Sequence, residues 1–204
     1  MRKCAVNLLG GVLAACVLSG SPLHAQQLSE GVTFLKAVRE RDGAAVQQVL
    51  QRPGTTLVNT RDLTTGQTAL HIVTERRDLT WLRVLTRAGA NPNIADRRGV
   101  TPLQIATGLG FVEGAAALLQ AGAQVDATNR TGETPLITAV HQNDVDMVRL
   151  LLSHGAKPDR SDNSGRTALD YARLAGSRST LVQEFDRARR EQAAASAGRY
   201  GPGS

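Results

Sequence analysis

The stretch Gly99-Val100-Thr101-Pro102-Leu103-Gln104-Ile105-Ala106 returns 33 residues later as Gly132-Glu133-Thr134-Pro135-Leu136-Ile137-Thr138-Ala139. The same frame holds one step earlier, at Gly66-Gln67-Thr68-Ala69-Leu70-His71-Ile72-Val73. It holds again one step later, at Gly165-Arg166-Thr167-Ala168-Leu169-Asp170-Tyr171-Ala172. Four Gly, four Thr and four Leu in register do not arise by chance. A period of this size marks a chain built from stacked copies of one small unit. Within each unit Thr precedes an apolar run, as a helix cap does. Pro102 and Pro135 fall in the first turn, where a missing N–H has no partner to lose. Leu, Ile and Ala then form an apolar stripe, with Ala admitting a neighbouring helix closely. A break near Gly110 or Asn143-Asp144 predicts a second helix, with Leu82 and Leu85, Leu118 and Leu119, or Val148, Leu151 and Leu152 facing inward. Gly89, Gly122 and Gly155 end it in the left-handed conformation. The stretches Asp96-Arg97-Arg98-Gly99, Asn129-Arg130-Thr131-Gly132 and Asp162-Asn163-Ser164-Gly165 read as hairpin turns.

Outward from this frame, residues 26–62 read as a degenerate N-terminal capping repeat. It has a helix pair carrying Phe34, Leu35, Ala37 and Val38, then Val46, Val49 and Leu50, without the Thr-Pro entry. One extra residue stands between Asp62 and Gly66. Residues 63–192 hold four units, the last closed by Leu181, Val182 and Phe185 on a capping helix whose charged outer face suits the end of an array. The Ala, Ser, Gly and Pro of residues 193–204 predict a disordered tail.

Residues 1–25 read as an export signal. Arg2 and Lys3 precede an apolar run from Cys4 to Leu18, and small residues lead to a cut expected after Ala25. The run is shorter than the ~20 residues that span a bilayer. Leu13-Ala14-Ala15-Cys16 offers an alternative, a lipid-modified Cys16. Cleavage after Ala25 removes both cysteines, Cys4 and Cys16, and with them any disulfide, thiolate or thiolate metal site. Arg outnumbers Lys 21 to 3, which with abundant Ala and Gly points to a bacterial source and hence the periplasm. The net charge of +6 suggests an anionic partner, but residues 26–186 carry 18 bases and 17 acids, so nucleic acid is not expected. A hydrophobic content of 41% rules out a wholly disordered chain.

The segments Thr68-Ala69-Leu70-His71, Thr101-Pro102-Leu103-Gln104 and Thr134-Pro135-Leu136-Ile137 resemble the core motif of ankyrin repeats. Leu118-Leu119-Gln120-Ala121-Gly122-Ala123 and Leu151-Leu152-Ser153-His154-Gly155-Ala156 resemble that family's second helix and its stop. The resemblance covers residues 66–186 closely and 28–62 loosely. It implies an all-α fold, an ankyrin-repeat α-solenoid of five helix pairs with short β-hairpin fingers. It also implies protein binding through the finger tips and the exposed face of the first helices. On this chain that surface is Gln67, Glu75 and Arg76, then Arg97, Arg98, Val100 and Leu109. The later repeats add Arg130, Thr131, Glu133, His141, Gln142, Asn163, Ser164 and Arg166. Arg97, Arg98, Arg130 and Arg166 form a line suited to an acidic patch on a partner.

Little else points to chemistry. There is no phosphate loop, paired-His motif or nucleophile elbow, and no catalytic residue, metal site or cofactor is expected. His71 sits in the family's structural slot, where it bridges repeats. His154 suits a helix C-terminus, and His141 beside Asp144 and Asp146 lacks ligand spacing. Trp81, Phe111, Tyr171 and Phe185 read as packing residues. The expectation is a monomeric, non-catalytic interaction module exported to the periplasm and binding a protein partner. A lipid-anchored envelope assembly factor and an exported effector acting on host proteins are the alternatives.

Overall fold

The structure is a computed structural model and describes residues 22–198 apart from 53, 175 and 177–179. Ten α-helices lie among the described residues and form five pairs. They are α1 (Pro22–Glu40) with α2 (Gly43–Leu50), α3 (Ala69–Glu75) with α4 (Leu79–Arg87), and α5 (Pro102–Gly108) with α6 (Val112–Gln120). The last two pairs are α7 (Pro135–His141) with α8 (Val145–Ser153), and α9 (Ala168–Leu174) with α10 (Thr180–Gly198). The first helices stack in the order α1, α3, α5, α7, α9. Behind them α4, α6, α8 and α10 pack in series. One continuous apolar core runs from Phe34 to Phe185, and Ala106, Ala139 and Ala172 are fully enclosed where adjacent first helices meet.

Local chemistry explains each helix boundary. Thr101 and Thr134 accept hydrogen bonds from the N–H groups of Gln104 and Ile137 at 3.3 Å each, and Pro follows both. The second helices are capped by Asp: Asp42 accepts from Ala45, Asp78 from Trp81 and Asp144 from Met147. In α6 the cap position is Phe111, which is buried and cannot cap. A Cβ on Gly114 would lie 2.2 Å from the Phe111 ring, so the glycine makes room for an aromatic that has moved to the cap. The tight turns within the pairs place Arg77, Gly110 and Asn143 at φ of 55°, 61° and 54°. Gly89, Gly122 and Gly155 take φ near 85° at the second-helix stops, as the spacing predicts.

Two expectations meet a different arrangement. The fingers carry no strand; one isolated antiparallel bridge, Ser161 with Thr167, is found among the described residues. Aspartate and asparagine side chains take up the turn N–H groups and leave little for a strand ladder. Helix α10 continues to Gly198, so residues 193–198 of the expected tail are helical, Ala being the best helix former. Residues 1–21 and 199–204, with most of the export signal, Cys4 and Cys16, lie outside the described residues, and Ala25 falls in the first turn of α1. No helix of the described residues is long and apolar enough to cross a membrane.

Candidate partner-binding face

Each finger is built around one Asx residue. Asp62 accepts from the N–H groups of Thr64 and Thr65 at 2.9 Å each, and Asp96 from Arg98 and Val100 at 2.8 and 2.9 Å. Asn129 accepts from Thr131 and Glu133 at 2.9 and 3.0 Å, and Asp162 from Ser164 and Arg166 at 2.8 and 3.1 Å. The extra residue before Gly66 is absorbed here: Gly66 N–H reaches back four residues to Asp62, whereas Gly99 reaches back three to Asp96. These donors favour the ionised acids. The Thr65 N–H and then the Arg39 guanidinium hold Asp62 well below the usual carboxylate range. The Ser164 and Tyr171 hydroxyls do the same for Asp162. At Asp96 burial pushes the other way, and the Val100 N–H and the Arg98 side chain outweigh it.

The fingers are then stitched together by one recurring position. Arg97 donates through its guanidinium to the Leu63 carbonyl, Arg130 to the Arg97 carbonyl, and Asn163 through Nδ2 to the Arg130 carbonyl at 3.1 Å. The line of four arginines is therefore not a comb of free charges. Arg97 and Arg130 staple one finger to the previous one, and Arg98 is ion-paired to Asp96 at 3.0 Å. Arg166 stands 5.8 Å from the centre of the Tyr171 ring. All four remain exposed. Thr131 and Ser164 hydroxyls donate back to Asn129 and Asp162, so both tip residues belong to their own turns.

Two more nominated residues tie helices together. The Arg76 guanidinium donates to the Val38 and Arg39 carbonyls at 2.6 and 3.2 Å, in the last turn of α1, where a cation also meets the helix dipole. Burial, and then the like charge of Arg41, lower its pKa from the ordinary arginine value. Gln142 donates to the Gly108 carbonyl at 2.7 Å. Deeper in the same seams, His71 Nε2 lies 3.0 Å from the Val100 carbonyl, bridging two repeats as expected. Gln104 fills the same place one repeat on and donates to the Ala127 and Glu133 carbonyls.

What remains facing solvent on the first helices is a grid two columns wide. In the first repeat Gln67 donates to Glu75 at 2.6 Å, and in the third Glu133 lies 3.8 Å from His141. The matching pair in the second repeat is Val100 and Gly108. A Cβ on Gly108 would meet nothing within 4 Å, so the wall has a notch there, beside half-buried Ile105 and Leu109. The sequence reading singled out Val100 and Leu109 but missed Gly108 and Ile105. The signal was available in the column Glu75, Gly108, His141, Leu174, where one member lacks a side chain.

At the last repeat Tyr171 is half-buried and does more than pack. Its hydroxyl donates to Asp162 at 2.7 Å, and its ring meets His141 edge-on at 4.3 Å. Phe111 and Phe185 are buried packing residues, and His154 Nδ1 lies 3.0 Å from the Leu150 carbonyl at the end of α8. Trp81 packs against the core but is only half-buried, at the edge of an open groove, while Met147 at the matching place is fully enclosed. A larger groove of ≈ 690 Å³ separates α8 from α10. Its charged groups already pair with one another, Arg149 with Asp146 and Glu184 and Arg187 with Glu191, so it holds no unused binding group among them. No group of three or more His, Cys, Asp or Glu among the described residues is placed to hold a metal ion.

The family model for ankyrin repeats (3 copies) matches residues 34–129 and 117–183, most of the chain. A search of curated proteins gave no match.

Proposed function

The chain belongs to the ankyrin-repeat family, and on that footing we propose that it is an exported, periplasmic binding module that captures a protein partner on its finger and first-helix face. Ankyrin repeats are generally protein–protein interaction modules, and ankyrin-repeat domains are typically non-catalytic. The observation that carries the reading is the notch at Gly108. It is a place for an apolar side chain in the middle of a polar wall, with Glu75 on one side and Glu133 and His141 on the other. Half-buried apolar side chains ringed by polar groups are where binding energy concentrates in protein interfaces. Exposed Arg130 and Arg166 on the following fingers favour an acidic partner segment; the bond to a neutral carbonyl leaves Arg130 its charge, whereas Arg98 is already paired with Asp96.

Gly108 lies in helical backbone with open space at its Cβ, so Gly108→Gln fills the notch without strain and improves helix propensity. In-cell crosslinking identifies the bound protein. The Gln variant is expected to lose at least tenfold in affinity for it, with thermal melting unchanged or raised. Undiminished affinity places the partner elsewhere. Arg97→Glu is a poorer probe, because it also removes a finger staple. The export reading rests on the charge and apolar pattern of residues 1–25. The mass of the mature N-terminus checks it, Gln26 being expected and an acylated Cys16 the alternative.

A further inference from the structure

We propose that the seam between α2 and α4, on the side of the array away from the fingers, is a contact surface for a bilayer carrying anionic headgroups. Whereas the later second helices pack in series, α2 stands off from α4 and leaves an open groove of ≈ 480 Å³. Its floor is mainly apolar, formed by Val46 and Leu50 of α2 and by Trp81 and Val84 of α4, with Gln47, Gln51, Thr80 and Arg87 also on the lining. Val84 is 44% exposed, one of four large aliphatic side chains so exposed among the described residues. Trp81 is held at the edge by the Asp78 cap on its N–H, while the equivalent places in α6 and α8 carry Gly114 and enclosed Met147.

The charge lining this groove is basic, and the nearest acids sit at the helix caps. Helices α2 and α4 contain no Asp or Glu. Arg87 lines the groove and Arg83 stands one turn before it on α4; both are exposed, and neither has a carboxylate partner among the described residues. Asp42 and Asp78 are spent on capping, and Arg52 is paired with Glu30 at 3.1 Å. Within the second helices of the described residues, acids begin with Glu113 on α6 and Asp146 on α8.

A tryptophan edge, an exposed aliphatic side chain and unpaired arginines on one face are the combination that settles at the headgroup level. There the ring meets the acyl boundary and the guanidinium meets phosphate. Other occupants match the charge less well. A second copy docking by two-fold symmetry would bring Arg83 and Arg87 against their own counterparts. The apolar run of residues 4–18 is flanked by Arg2 and Lys3 and offers the arginines no anion. The surface is independent of the finger face, so a bound partner and a bilayer do not compete.

Trp81 is the only tryptophan in the chain, so its fluorescence reports on this groove alone. The processed protein, as the cell yields it, is mixed with phosphatidylcholine vesicles, with and without phosphatidylglycerol. Co-sedimentation and Trp81 emission are followed together. Binding with a blue shift is expected only on the anionic vesicles, weakening with salt. Arg83→Glu with Arg87→Glu lowers the partition coefficient by about tenfold or more, given the attraction each arginine contributes near an anionic surface. The paired change Arg189→Glu and Arg190→Glu, on α10, leaves it near the native value. Several results overturn the proposal. They are equal binding to neutral vesicles, binding without a blue shift, or binding that survives the α4 charge reversal. Two more are a blue shift that grows with protein concentration in the absence of lipid, which assigns the groove to a second copy, and the same shift with soluble glycerol phosphate.

Discussion

The seams between repeats are closed in two ways, and α7 marks the change. Before it, a buried polar side chain crosses each of two successive seams: His71 from α3 to the Val100 carbonyl, and Gln104 from α5 to the Ala127 and Glu133 carbonyls. At the same position α7 carries Ile137, fully enclosed and unable to donate. The following seam is crossed at the surface instead. Asn163 bonds to the Thr131 and Arg130 carbonyls, and the edge of one ring meets the other between His141 and Tyr171. A buried donor left without its acceptor is expensive, so the early seams admit one register. An apolar contact tolerates small shifts, and a surface contact exchanges readily with water. One scaffold thus yields seams that form alike and fail differently.

The largest test removes a buried tether. Gln104→Leu strands the Ala127 carbonyl and the Thr101 N–H, while the Glu133 carbonyl keeps the Asn129 N–H, and should lower unfolding free energy by about 2 kcal/mol. Ile137→Leu keeps the volume of an apolar contact and should cost about 1 kcal/mol or less. Equal losses in urea unfolding would erase the distinction between the seams.

A middle-sized effect depends on pH. Burial holds the folded His71 below its ordinary value of 6.5, so the folded state prefers the neutral ring. As pH falls below 6.5 the unfolded chain takes the proton first. The stability tied to His71 is therefore complete above that pH and drains away toward the lowered folded value. Stability should decline as pH falls from 7 to 5.5. His71→Gln, which installs the side chain that the next repeat already uses, should remove this component from the pH profile. A profile that keeps its slope shifts the titration to another group.

The smallest effect sharpens the picture of the first seam, where Arg76 clamps α1. Arg41 sits at φ 60° and repels the partly desolvated Arg76. Arg41→Gly relieves both, and calorimetry should show a gain of about 0.5–1 kcal/mol. A loss would mean that Arg41 makes a stabilising contact of its own.

Most of the architecture was legible before any coordinates. The Thr caps, the Pro entries, the Gly stops and the inward Leu positions all stand where the 33-residue period places them. So does His71 as a bridge between repeats, because each of these roles is set within a few residues of the position itself. The face was less legible. Arg97, Arg130, Arg76 and Gln142 read as free surface groups, yet each donates to a carbonyl more than thirty residues away. Hydrophobic period cannot reveal a long polar side chain lying across its neighbour. Trp81 packs on the core as its place in the period predicts, but α2 leaves its other side open.

The sequence alone determined that the chain is a stack of helix pairs, since a repeated cap, stripe and stop each act locally and need no knowledge of the neighbours. Only the tertiary structure decided which exposed side chains are spent in holding repeats together and where the wall has a notch or a gap. Those depend on distances between residues a full repeat apart, which stacking creates and the linear order does not contain.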